Sequence, residues 1–162
     1  MRGKSYFTIL LLISLIFYTG CEPKPQTIHF GSDQCDYCRM MITEQEFASQ
    51  AVNNQGRAFK FDSVECMAAF DLTVENRDNI HSLWVPNFLN RDEWLEADSA
   101  VFLHSETLRS PMGLFLSAYT DRASVTPILQ EYGGEIVDYN RVREIVEAAW
   151  LQDNGNTQLM HH

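Results

Sequence analysis

Twice along this 162-residue chain the same order of local patterns appears: two short strand-forming stretches, a helical run, then a further short strand. In the first instance Phe47 to Val52 and Arg57 to Phe61 flank an Asn53-Asn54-Gln55-Gly56 turn and read as a hairpin. Asp62 stands where a helix cap is needed, with Glu65 three residues on. Val64, Met67, Ala68 and Asp71 recur at helical spacing, which predicts a helix over Ser63 to Val74. Ser82 to Val85 returns as a strand. A helix-like piece, Asn90 to Glu96 with Glu93 completing its cap, leads to the second instance. There Ala100 to His104 and Leu114 to Tyr119 read as strands, Asp121 to Tyr132 as a helix closed by Gly133-Gly134, and Glu135 to Val137 as a strand. Pro127 moves the expected start of that helix to Thr126, because proline further inside would lose a backbone bond. Val142, Ile145, Val146 and Ala149 define one face of a last helix capped by Asp138 or Asn140. The fold class is therefore α+β: two small similar ββαβ modules, residues 33–90 and 91–151, followed by a loose tail, 152–162.

Residues 1–20 read as a processing signal rather than as fold. Arg2 and Lys4 give a basic start, Tyr6 to Tyr18 form an uncharged, mostly apolar run, and Thr19-Gly20 are small. The run is shorter than the ~20 residues of a spanning helix. Small residues directly before Cys21 are similar to the bacterial lipobox, in which the cysteine receives lipid and becomes the new N-terminus, although Tyr18 stands where leucine is usual. Acyl chains on Cys21 would tether a soluble body. Glu22 to Ser32, with Pro23 and Pro25, reads as an extended linker. Glu22 replaces the aspartate that retains many Gram-negative lipoproteins in the inner membrane, which leaves inner and outer placement both open.

The formal net charge is −10, from 22 acidic against 12 basic residues, and removal of Arg2 and Lys4 makes the body more acidic still. Nucleic acid and anionic headgroups are therefore poor partners. With Cys21 lipidated, three of the four cysteines remain as thiols, namely Cys35, Cys38 and Cys66. An odd number leaves at least one unpaired within a monomer of an oxidising compartment.

Cys38-x-Met40 combines a thiolate and a thioether, soft ligands that favour Cu(I) over calcium, magnesium or manganese, and less decisively over zinc. In an extended segment residues two apart share a side, so both sulfurs are expected to face one ion. Met40 and Met41 also suit an ordinary core. Cys35-x-x-Cys38 admits a redox dithiol, half a zinc site, a local disulfide, or one ligand with a neighbour. The chain lacks the second ligand pair of a structural zinc site, and Arg39 stands where c-type haem attachment requires histidine. Cys66, inside the first helix near Met67 and Phe70, reads as a buried, inert thiol. His29, His81 and His104 are scattered, and His161 and His162 sit on the tail. Met112 lies in the tight-turn sequence Ser110-Pro111-Met112-Gly113, where a polar residue is expected.

Asp33-x-Cys35-x-x-Cys38-x-Met40, Phe61-Asp62 leading to Cys66-Met67, and Ser110-Pro111-Met112-Gly113, in this order behind Cys21, resemble the NosL family of copper-binding lipoproteins. The resemblance covers most of the mature chain. It implies two similar ββαβ modules and a Cu(I) chaperone that is not an enzyme, supplying nitrous oxide reductase in concert with a membrane transporter complex. It implies Cys38 and Met40 as primary copper ligands, Met112 as the third, and Cys35 as a further cysteine position of the site. Arg39 departs from the glycine often found between the ligand cysteine and methionine. How many chains share one ion stays open, a homodimer being one arrangement.

The chief alternative is an extracytoplasmic thiol-disulfide redox protein using Cys35 and Cys38, for which Met40 and Met112 would be dispensable. An organomercurial or thiol-metabolising enzyme would require turnover, and a purely structural lipoprotein would bind no copper tightly. The sequence holds no Ser/His/Asp set, phosphate loop or carboxylate pair that would propose bond-making chemistry.

Overall fold

The computed structural model describes residues 22–152. The leader, Cys21, and the tail from 153 with His161 and His162 lie outside the described residues. Both expected strand-strand-helix-strand runs form, and they form sheets of like order. In the first, β1 (Ser49–Asn53) lies between β2 (Ala58–Phe61) and β3 (Ile80–Asn87), antiparallel to both. All five residues of β1 are buried, as befits a central strand. The Asn53 side chain accepts from the Gln55 and Arg57 N–H groups and closes the β1–β2 turn.

Helix α1 (Val64–Thr73) starts one residue later than the sequence suggests. Ser63, not Asp62, is the cap, its hydroxyl accepting from the Cys66 N–H. Asp62 is thereby free for other contacts. Asn90 to Glu96 is a strand, β4, and not a helix: it pairs antiparallel with β3, Val85 opposite Leu95 and Pro86 opposite Trp94. The free edge of β3 supplies backbone partners that a single helical turn would lack. Glu93, expected to complete a cap, accepts from the Asn87 side chain at 2.8 Å. Since β4 completes the first sheet, the first module extends to Glu96 rather than ending at residue 90.

In the second sheet β5 (Val101–His104) lies between β6 (Leu116–Tyr119) and β7 (Glu135–Val137). Helix α2 (Arg122–Tyr132) starts before Thr126, because Asp121 and Ser124 build a reciprocal cap there. Pro127 is inside the helix, on its exposed side. Gly134 must be glycine: its φ is +116°, and a Cβ would lie 2.3 Å from the His104 carbonyl oxygen. Helix α3 (Tyr139–Val146) is capped by Asp138 and runs into a π-type turn, Glu147–Leu151.

The modules share one core. Ile42, Phe61 and Met67 from the first join Phe102, Leu116 and Val142 from the second, and α1 packs on its own sheet, on β6 and on α3. The expected linker is also part of this body from Gln26 onward. Gln50, buried on β1, exchanges two 2.8 Å hydrogen bonds with the Gln26 backbone, and Ile28 is buried. A buried amide needs partners, and this segment supplies them. No helix among the described residues is long and apolar enough to cross a membrane.

Candidate metal centre

The residues before β1 fold into a tight double turn. Gln34 bridges Met41, the Cys35 N–H donates to the Met40 carbonyl at 2.8 Å, and the Arg39 N–H donates to the Cys35 carbonyl at 3.0 Å. Asp36 fastens the turn to β2: its N–H donates to the Lys60 carbonyl, and its carboxylate accepts from the Lys60 N–H at 2.7 Å. Arg39 adopts φ +68°, the left-handed region that favours glycine. The segment therefore reverses at Arg39 instead of running extended. The alternation expected to aim Cys38 and Met40 to one side does not apply: Cys38 is half-buried, while Met40 and Met41 are 50% and 54% exposed.

This turn delivers Cys35 and Cys38 to the start of α1. The sulfurs of Cys35, Cys38 and Cys66 and a carboxylate oxygen of Asp62 all lie within 4.8 Å of one another. Cys35, Cys66 and Asp62 are buried, with Cys38 on the more accessible side. Cys66, expected to be inert, is buried as anticipated but faces two other thiols. Its place at the first turn of α1 brings it there, and only the β2–α1 connection, which folds Asp62 and Cys66 toward the Cys-x-x-Cys turn, reveals it.

The electrostatics suit a cation. The Cys38 thiol donates to Asp62 Oδ2 at 3.6 Å, while Asp62 Oδ1 is buried with no hydrogen-bond partner. A buried carboxylate beside three sulfurs, one of its oxygens lacking a hydrogen-bond partner, is a candidate ligand. The Cys35 thiol is held down to about 6, first by a hydrogen bond from the Cys66 thiol and then by the backbone N–H groups of Cys38, Asp62 and Tyr37, against the opposing effect of burial. Cys66, the donor of that bond, is pushed far above the ordinary thiol range by it, and further by burial and the charges of Cys35 and Asp62. Burial, with hydrogen bonding and charge from Cys35 and charge from Asp62, raises Cys38 to about 11. Cys35 is thus the first of the three thiols to give up its proton. A thiophilic ion would displace the remaining protons, since it binds thiolate.

Met112 sits in the turn between β5 and β6, where the Gly113 N–H donates to the Ser110 carbonyl at 3.2 Å. It is half-buried and packs on the shared core, as do Tyr37 and Cys38. Tyr37, between the two cysteines, stacks on Trp150 of the last turn with ring centroids 6.4 Å apart. His29 pairs with Asp33, His81 lies near Ser82, and His104 is on β5; none belongs to the cluster.

The NosL family model matches residues 26–146. The structure is similar to the crystal structure of the copper chaperone NosL from Shewanella denitrificans, with a TM-score of 0.64 and 18% identity over 74% of this chain and 96% of that one. No curated protein matches the sequence.

Proposed function

The chain belongs to the NosL family, and on that premise we propose that it is a lipid-anchored Cu(I) chaperone that delivers copper for metal-centre assembly in nitrous oxide reductase. The observation that carries the reading is the gathering of three cysteine sulfurs and the Asp62 carboxylate, one of whose oxygens lacks a partner, beside the Cys38-x-Met40 segment. A set this rich in sulfur favours a soft ion. Cys38 and Met40 are the primary ligands in this reading, Met112 is the third, and Cys35 supports them from within. The relative from Shewanella denitrificans, called a copper chaperone, supports the same class of cargo.

A carrier must hold its ion firmly and release it to a partner's ligands, which calls for few ligands and an open side. Here the accessible groups are Cys38 and the exposed Met40, while Cys35 and Cys66 close the inner side. Lipidation at Cys21 would hold the body at a membrane, facing the periplasm or exterior, within reach of the acceptor and of an associated transporter complex. The redox alternative meets an electrostatic obstacle. A dithiol oxidoreductase exposes its low-pKa nucleophile, whereas Cys35, the acidic thiol, is buried and the more accessible Cys38 holds its proton.

The test is an anaerobic Cu(I) titration of the reduced full-length chain against a competing chelator, beside Cys38→Ser, Met40→Leu and Met112→Leu. Tight binding that is lost with Cys38 and weakened by either methionine change supports the carrier. Binding indifferent to all three, or absent from the parent chain, returns the cysteines to redox chemistry. Delivery is tested separately by mixing the loaded chain with copper-free nitrous oxide reductase and following copper transfer.

A further inference from the structure

We infer that Glu65 positions Met112, gripping both stems of the turn that carries this thioether from the helix that carries Cys66. This rests on the reading above that Met112 binds copper. Glu65 is fully buried at the first turn of α1, immediately before Cys66. Its Oε1 accepts from the Ser110 hydroxyl, at one end of the turn, and from the Leu116 N–H at 3.4 Å, at the other. The Ser110 oxygen in turn accepts from the Phe115 N–H at 2.9 Å, so both stems converge on one carboxylate oxygen.

The turn needs such support. Gly113 and Phe115 both have positive φ, +80° and +58°, and the second is costly for a residue with a side chain. Strained backbone of this kind persists only where its surroundings impose it. The alternative, that Glu65 is ordinary packing, fits poorly. Its Oε2 is buried with no hydrogen-bond partner, and a buried carboxyl is unfavourable where leucine would fill the same place on a helix. What the carboxyl supplies, and leucine cannot, is a hydrogen-bonded link between the Met112 turn and the first turn of α1.

The experiment compares Glu65→Leu, Glu65→Gln, Ser110→Ala, Met112→Leu and the double variant Glu65→Leu/Met112→Leu in the full-length chain. Each is read by Cu(I) affinity against a chelator and by X-ray absorption, which counts the sulfurs at copper. Glu65→Leu is expected to weaken Cu(I) roughly 10- to 100-fold, as loss of groups that orient ligands does, and to lower the sulfur count by one. Gln, which keeps an acceptor, should restore both, and in the Met112→Leu background Glu65→Leu should change nothing further. If Glu65→Leu does not fold, Ser110→Ala removes the Ser110 arm of the link from the loop side, leaving only the 3.4 Å bond from the Leu116 N–H, and decides. A Met112→Leu loss that neither Glu65→Leu nor Ser110→Ala reproduces overturns the positioning role and leaves Met112 a ligand. So does an equal Glu65→Leu loss with and without Met112. A Met112→Leu variant with unchanged affinity and sulfur count removes the third ligand itself, and the positioning role with it.

Discussion

The sulfur of Cys66, at the start of α1, lies within 4.8 Å of the sulfur of Cys35, in the turn before β1. A merely structural thiol would not need that neighbour. Replacing Cys66 by serine should therefore change metal binding while leaving the helix in place, since serine has nearly the same volume. With Cd(II) as a spectroscopic probe, the thiolate charge-transfer band should fall from the intensity of three sulfurs to that of two. A band unchanged by Cys66→Ser would return Cys66 to the inert core role that its sequence context suggests.

The neighbouring Cys66 thiol, with the backbone donors, makes Cys35 the acid of the cluster. Its folded-state value of about 6 lies below that of an ordinary thiol, so thiolate is present above that pH and lost as pH falls through it. The thiolate absorbance of the reduced, metal-free chain should rise by one group around pH 6, and Cys35→Ser should remove that rise. Because the folded value is depressed, the favourable contribution of this thiolate to stability is complete only above the unfolded thiol value and declines as pH falls toward 6. Urea midpoints should drop more steeply over this range for the parent chain than for Cys35→Ser. A first thiolate that appears only near the ordinary value would show that Cys66 and the backbone donors do not stabilise it.

How far the fold can be read from residues alone differs along the chain for physical reasons. Asn53 to Gly56, the α1 run and the Gly133-Gly134 stop carry local chemistry strong enough to act without context, and all three form, α1 with its cap one residue later than expected. Asn90 to Glu96 does not, because a run with one acceptable cap is converted to a strand by the open edge of β3. In the site, Cys35 and Cys38 are legible from their spacing. Asp62 and Cys66 are not, since their contribution depends on a cap falling on Ser63 and on a turn returning over β2. Both placements are tertiary. A helix cap that leaves its preceding aspartate buried beside a cysteine is the one local signal that could have drawn notice to the pair.

Arg39 links the family pattern to a measurable strain. The residue between Cys38 and Met40 has φ +68° here, which explains in conformational terms why glycine suits this position. A left-handed residue with a Cβ costs ~1–2 kcal/mol, while glycine forfeits roughly 0.5–1 kcal/mol through the greater freedom of the unfolded chain. Arg39→Gly should thus gain up to about 1.5 kcal/mol of stability, and Arg39→Ala, which keeps the Cβ, should gain nothing. The check is urea unfolding of the three chains. Equal midpoints for the glycine and alanine variants would mean that the turn relaxes without cost.

Asp71 offers a change that should separate stability from metal binding. Its buried carboxylate pairs with Arg77 after α1 and with Arg143 of α3, the latter at 3.4 Å, and accepts from the Tyr139 hydroxyl at 3.3 Å. The side chain thus ties the far end of α1 to the last helix, at the end opposite Cys66. Removing one partner of a buried ion pair strands the others and typically costs ~3–5 kcal/mol. The two arginines here are partly exposed and can regain water, so Asp71→Ala should fall toward the lower end, about 3 kcal/mol. It should lower the urea midpoint while leaving Cu(I) affinity of the folded chain within a few-fold, because the cluster is held by the other end of the helix and by the Asp36–Lys60 fastening of the turn. A large affinity loss at full folding would instead mean that the packing of α1 against α3 sets the position of Cys66, and that the metal centre and the helical brace are one mechanical unit.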